Sequence, residues 1–303
     1  MQAPAGIALR PFGDADLAAL AALMARDEEY TLGRPSTLTL DDVRAWISGV
    51  ALATDSWTAE EDGRAIAFAW LYRRGELGNG IGVVDPDARG RGLGSCLVDA
   101  VEQRARALGL TRLQYDVLAG DRDGPALLQS RGLREVRRFY EMAVELDGPP
   151  PEPVVPDGMA IEVVREEDAR EYYATLDEAF RDHWEYHPPE FESWWQQKTS
   201  QPGYDPSLWF AVRDGDTFAA AIRNYANRNG GGWVDALGVR RAYRGRGLAK
   251  ALLHQTFGEF HRRGTNRISL GVDAQNPTGA TKLYESVGMR PQLEMITYEK
   301  ALA

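Results

Sequence analysis

The chain has 303 residues, 44% of them hydrophobic and 26% charged, which is the make-up of an ordinary folded protein long enough for two domains. A net charge of −10 argues against nucleic acid as a partner, because binding a phosphate backbone needs a basic surface. No apolar run is long enough to span a bilayer, so no membrane partner is expected. Met1 to Phe12 lacks the basic start and apolar block of a secretion signal, and the single cysteine, Cys96, can form no internal disulfide. A cytoplasmic protein is expected.

In chain order, a short strand (Ile7 to Arg10) leads into helical segments. Strands follow over Ser56 to Glu60, Ala65 to Tyr72 and Gly80 to Val84. Then comes Arg89-Gly90-Arg91-Gly92-Leu93-Gly94 and a helix with Leu93, Leu97, Val101 and Leu108 at helical spacing. A strand over Arg112 to Val117, a helix and a closing strand end this half. The segment Asp147 to Gly158, DGPPPEPVVPDG, is too proline-rich for a helix or a central strand and reads as a linker. After it the same order returns: Ala160 to Val164, helices, strands over Leu208 to Arg213, Phe218 to Tyr225 and Trp233 to Val239, then Arg244-Gly245-Arg246-Gly247-Leu248-Ala249. A helix carrying Leu248, Leu252, Thr256 and Phe260 and a strand over Arg267 to Val272 follow. Residue 244 lies 155 positions after residue 89, and the same spacing links Gly109 to Gly264 and Arg112 to Arg267. A period of half the chain means a duplicated domain. The expected domains are 1–147 and 157–303, with 148–156 as linker. Strands and helices in this order suggest a sheet covered by helices on both faces.

The strand–Gly/Arg loop–helix arrangement suits a phosphate. Glycine lets the backbone approach a ligand closely, and unpaired N–H groups at a helix start, aided by the dipole, favour an anion. There is no Gly-Lys-Ser/Thr ending and no G-x-G-x-x-G, so neither a nucleotide P-loop nor a dinucleotide fold fits.

The loop, the hydrophobic strand before it and the segment Asn276-Pro277-Thr278-Gly279-Ala280-Thr281-Lys282-Leu283-Tyr284-Glu285-Ser286-Val287-Gly288-Met289 closely resemble the GNAT superfamily of N-acetyltransferases. The tandem layout is similar to that of its mycothiol synthase-like members. The resemblance implies an α+β fold, an α/β/α sandwich around a mixed, mostly antiparallel sheet, present twice. It implies acetyl-CoA as acyl donor and the primary amine of a small molecule as acceptor. Arg244 to Ala249 would hold the cofactor pyrophosphate, Leu237, Gly238 and Val239 would pair with its pantetheine arm, and Asn276 would hydrogen-bond that arm. Arg89, Gly90, Arg91, Gly92, Leu93 and Gly94 form the corresponding loop of the first half. Tyr284 would protonate the leaving thiolate, and Asp235, or a water it orders, would take the amine proton. Asp235 stands two residues before Leu237, so simple strand alternation places both on one sheet face.

Applying the spacing, Asp235 maps to Gly80. Further on, Gly132 and Gly288 differ by 156, one extra residue in the second half. Counting back from Gly132 maps Asn276 to Gly120 and Tyr284 to Leu128, so the first half is expected to be catalytically degenerate. Of the aromatic stretch from Phe180 to Trp195, Trp184, Tyr186 and Trp194 are candidates to face the acceptor. His183 and His187 have a metal-pair spacing, but with no further ligand cluster and Pro188-Pro189 next in the chain no metal is expected. A non-enzymatic alternative is an acyl-CoA-binding sensor without turnover. A monomer is compatible with the duplication.

Overall fold

The computed structural model describes residues 4–201, 203–228, 230–276 and 278–302. The chain divides into two compact units, Met1–Phe139 with Leu293–Ala303, and Tyr140–Gln292. This departs from the expected division at the proline segment. The last strand of the first half continues into the second unit, and the last strand of the chain belongs to the first.

In the first unit, β1 (Ala8–Arg10) is followed by α1 (Leu17–Leu32), α2 (Leu40–Ile47) and the single turn α3 (Leu52–Asp55). Thr39 caps α2 through its hydroxyl while Asp42 caps in return, which fixes where that helix starts. Then come β2 (Ser56–Glu61), β3 (Arg64–Arg74), β4 (Leu77–Val84), α4 (Leu93–Ala107), β5 (Arg112–Leu118), α5 (Asp123–Ser130) and the start of β6 (Arg134–Glu145). β1 to β4 pair antiparallel in sequence order, and β4 pairs parallel with β5. The central strand β3 is buried from Ile66 to Leu71 because both faces are covered. Ala67, Ala69 and Leu71 join the cluster of α4, with Leu97 and Val101. Phe68 and Trp70 join that of α1 and α2, with Leu20, Leu23 and Val43. This is the period-two alternation of a strand between two helical layers.

In the second unit, β7 (Met159–Val163), α6 (Ala169–Phe180), α7 (Phe191–Thr199), β8 (Phe210–Asp214), β9 (Thr217–Arg228) and β10 (Gly231–Val239) repeat the order. α8 (Leu248–Arg262), β11 (Arg267–Asp273), α9 (Ala280–Ser286) and β12 (Arg290–Ala301) complete the chain. β7 to β10 pair antiparallel, and β10 pairs parallel with β11. Beside β11 lies β6, whose Met142 joins this unit's core with Tyr140 and Val144 packed against it. β12 runs antiparallel to β5 from Met295 to Ala301 and buries Ile296 and Tyr298 in the first unit's core. The proline segment has no regular structure, and Val155 packs on the second unit's core. Each unit is thus a mixed, mostly antiparallel sheet between helices.

Candidate active site

In each unit the parallel pair of strands parts at one point. β10 and β11 pair from Gly232↔Ile268 to Val234↔Leu270, while β10 continues to Val239 against β9 alone. In the first unit the pairing ends at Gly80↔Tyr115, while β4 continues to Val84 against β3. Beyond each fork the inner edge of the longer strand has unpaired backbone groups, which an extended ligand can meet as a further strand would.

The Gly/Arg loops lie past the ends of β4 and β10. Gly245 and Gly247 adopt φ of +77° and +81°, and Gly90 and Gly92 +72° and +82°, the left-handed region that favours glycine. A Cβ at any of the four would meet nothing within 4 Å, so space lies in front of both loops. The first helical bond of α8 runs from the Ala251 N–H to the Gly247 carbonyl, and that of α4 from Cys96 to Gly92. The N–H groups ahead of them are the ones a helix leaves without intrahelical acceptors. The residues present therefore fit a pyrophosphate at either loop.

The charges around the two loops differ. Arg89 is ion-paired with Asp27 at 2.5 Å, Asp123 at 3.1 Å and Asp121 at 3.7 Å, and Arg91 with Glu61. In the second loop Arg244 meets Asp182 at 3.5 Å, and Arg246 lies over the Tyr243 ring at 5.2 Å. Four carboxylates crowd the first loop, so the second is the more favourable for a polyanion.

A cavity of ≈ 660 Å³ occupies the fork of the first unit, bordered by Val84, Gly90, Gly92, Tyr115, Asp121 and Leu128. The Tyr115 ring that borders it packs on Gly80, where a Cβ would fall 2.3 Å from the ring. The buried Tyr115 hydroxyl has no hydrogen-bond partner.

Strand register corrects the correspondence of Asp235 with Gly80. Val234 pairs with Leu270 as Gly80 pairs with Tyr115, so Val234 is the counterpart of Gly80. On β9, Val234 faces Asn224 and Ala236 faces Arg223, which leaves Asp235 as the extra residue of a β-bulge. β4 pairs with β3 without interruption from Leu77 to Val84, so the first unit has no counterpart of Asp235 at all.

The bulge also reverses the strand's faces. Asn224, opposite Val234, donates to Thr256 of α8, so Val234 faces α8. A Cβ on Gly238 would lie 2.6 Å from the Ala179 Cβ of α6, so Gly238 faces α6, and Leu237 and Val239 face away from it. Asp235 reaches Arg223, whose guanidinium lies over Trp194 of α7. Asp235 therefore shares the face of Gly238 and not that of Leu237, against the simple alternation.

Asp235 is surrounded by cations. Its Oδ2 accepts from Arg223 at 2.6 and 2.8 Å and lies 3.7 Å from the Lys198 ammonium, and its Oδ1 lies 3.5 Å from Arg228. Burial would raise the carboxyl pKa, but the charges of Arg223, Lys198 and Arg228 outweigh it and hold the pKa at about 2. Such a carboxylate is a weaker proton acceptor than an ordinary aspartate. Its Oδ1, with one long contact, has room for a further donor. Burial lowers the Lys198 pKa, with Arg223 and Arg228 adding to the effect and Asp235 opposing it.

Tyr284 sits in α9, 8% exposed, and burial raises its pKa to about 12. The hydroxyl therefore stays protonated throughout the ordinary pH range, as a donor must. Asn276 holds its own turn: Oδ1 accepts from the Thr278 N–H at 2.8 Å and the Thr278 hydroxyl at 2.5 Å. Pro277, beside it, lies outside the described residues.

Of the aromatic candidates, Trp194 is buried among Tyr172, Tyr173 and Trp209 and borders the cation cluster. The Tyr186 hydroxyl donates to Asp177 at 3.0 Å, and Trp184 is half-buried in the turn after α6. Sequence reasoning missed Lys198, Arg223 and Arg228. Their convergence depends on the bulge and on α7, and a strand arginine alone reads as a surface charge.

Two forked sheets, each with a glycine loop and a helix start beyond the fork, define an acyl-CoA-handling class of fold. The model of the Acetyltransferase (GNAT) family matches residues 20–132 and again 165–289, and the chain belongs to that family. It is an acetyltransferase with acetyl-CoA as donor. Its curated relatives include mycothiol acetyltransferases. That of Geodermatophilus obscurus is 28% identical, with 98% of this chain and 95% of that protein covered. That of Acidothermus cellulolyticus is 32% identical, with 69% and 67% covered. Among solved structures, a GCN5-related N-acetyltransferase from Sphaerobacter thermophilus is 31% identical with a TM-score of 0.88, covering 99% of this chain and 97% of that one. A tandem GNAT protein from the clavulanic acid biosynthesis pathway shares the fold, with a TM-score of 0.78 at 16% identity over 97% and 98% of the two chains. No helix among the described residues is long and apolar enough to cross a membrane.

Proposed function

We propose that the second unit acetylates the primary amine of a small molecule by direct attack, and that the first unit is a non-reactive cofactor site or scaffold. The observation that carries this reading is an asymmetry. Both units have the fork and the loop, but Asp235 with its bulge and Tyr284 occur in the second alone. Leu128, the counterpart of Tyr284, borders the first-unit cavity, and so supports placing the Tyr284 hydroxyl at the corresponding fork.

Acetyl-CoA supplies an acetyl thioester. The backbone of Arg244 to Ala249 holds its pyrophosphate, and the free edge of Leu237 to Val239 holds the pantetheine arm. The Asn276 amide N–H₂ group is left as donor to that arm, since its oxygen serves the turn. An alkylamine has an ordinary pKa of about 10.4, so it arrives mostly protonated at pH 7. The surplus of positive charge around Asp235 favours its neutral form. A water held at Asp235 Oδ1 takes the amine proton as it leaves and passes it on to bulk solvent. In this role the aspartate orients the water and takes no proton itself, as its pKa of about 2 requires. Tyr284 gives its proton to the leaving sulfur. The mycothiol acetyltransferase relatives favour a small-molecule acceptor. The test is thiol release from acetyl-CoA over a panel of small primary amines and histone-like proteins. Turnover is expected with small amines, and turnover of proteins alone would overturn the reading.

A further inference from the structure

Three cations converge on Asp235, and among the described residues that single carboxylate answers all of them. Arg223 is 5% exposed, and its Nη1 is buried without a hydrogen-bond partner. Buried charge is costly unless it is paired, and two positive charges here remain unanswered. The rings of Trp194 and Trp209 at 5.3 and 5.7 Å from Arg223, and Trp233 at 5.1 Å from Arg228, soften that cost without neutralising it. The cluster is open on one side: the Arg228 and Lys198 side chains keep 30% and 19% of their exposure. It also stands where β10 and β11 part, one residue beyond the last pair, Val234↔Leu270.

We infer that the cluster binds an anionic group of the acceptor, which is therefore a primary amine that also carries a carboxylate, held by Arg228 and Lys198. Arg223 and Asp235 form the fixed floor, and the incoming carboxylate supplies the missing negative charge. A planar guanidinium matches a carboxylate through paired N–H donors, and the tryptophans bound the space with apolar walls. This inference rests on the reading of the second unit as the acetyl-transfer site and names the substrate class of that site.

The test is a tryptophan-fluorescence titration of the full chain, with coenzyme A present. The probes are N-acetyl derivatives of glycine, leucine, phenylalanine and glutamine, each as the free carboxylate and as the carboxamide. The members of each pair are nearly the same shape and differ only at that group, an anionic acceptor against a neutral amide. At least one carboxylate is expected to bind about 10-fold or more tighter than its amide, the effect of a charged hydrogen-bond partner. Arg228→Gln and Lys198→Gln should each shrink that gap. Equal affinities in every pair, tighter binding of the amides, or a gap untouched in both variants would overturn the inference. Thiol release with the free amino acids and their amides separates it from the parent reading. If no amine turns over while carboxylates still bind preferentially, the reading of the second unit as the amine-acetylating site fails and the anion site stands. Turnover that shows no preference for carboxylates removes the anion site alone.

Discussion

At the scale of single residues, environment decides what each acid can do. Tyr284 has a pKa of about 12, so it loses its proton only far above neutrality. Tyr284→Phe keeps the buried ring and removes the hydroxyl. It should lower kcat by roughly 10²-fold with little change in Tm. No limb of the wild-type pH–rate profile below about pH 10 should belong to this group. Activity unchanged in the variant would remove Tyr284 from the chemistry. Asp235 titrates the opposite way. Its pKa is about 2 in the folded chain, against about 3.9 unfolded. Its ionised form therefore contributes roughly 2 kcal/mol, fully present above pH ~4 and lost as pH falls through about 2. Asp235→Asn should be less stable than wild type in denaturant unfolding at pH 7, and the difference should narrow between pH 4 and pH 2.5. A difference independent of pH would show that the ion cluster is not what the aspartate stabilises.

At the scale of elements, the loop and the bulge do separate work. Gly247 has a positive φ and open space before it, so Gly247→Ala costs about 1 kcal/mol of backbone strain and puts a methyl group where a ligand would approach. The variant should fold, and its acetyl-CoA affinity at the second unit, read by calorimetry, should fall about tenfold or more. Gly92→Ala makes the same change in the first loop and should leave turnover largely intact. The reverse pattern, with turnover lost through Gly92 and kept through Gly247, would move the active site to the first unit. The bulge adds one residue to β10, and that residue is Asp235. Without it β10 would have the register of β4 and no carboxylate at the fork.

At the scale of the whole molecule, the chain path makes the first unit depend on the last residues. β12 pairs with β5 through seven residues, Met295 to Ala301, and contributes Ile296, Tyr298 and Leu302 to that unit's core. Burying each large side chain is worth roughly 2 kcal/mol, a total comparable with the 5–15 kcal/mol of a typical domain. Deleting residues 293–303 should therefore expose the first unit to limited proteolysis while the helices of the second stay protected. Equal resistance of the two units would contradict the assignment of β12 to the first.

Local patterns in the sequence determined much of this protein. The repeated Gly/Arg loops, the strand–loop–helix order and the segment from Asn276 to Met289 carry their own backbone preferences, because positive φ, helix capping and apolar spacing are properties of neighbouring residues. The duplication and the missing side chains at Gly120 and Leu128 followed from counting alone. Tertiary structure decided what depends on register and on distant charge. A fixed spacing of 155 cannot reveal that Asp235 is an inserted residue, because a bulge appears only in the pairing with β9 and β11. Nor does sequence bring Lys198, Arg223 and Arg228 to one carboxylate, since α7 and two strands must pack before those charges meet. The division into units was hidden for the same reason. Proline marks where the chain has no regular structure, whereas the core a strand joins is set by the partners it finds.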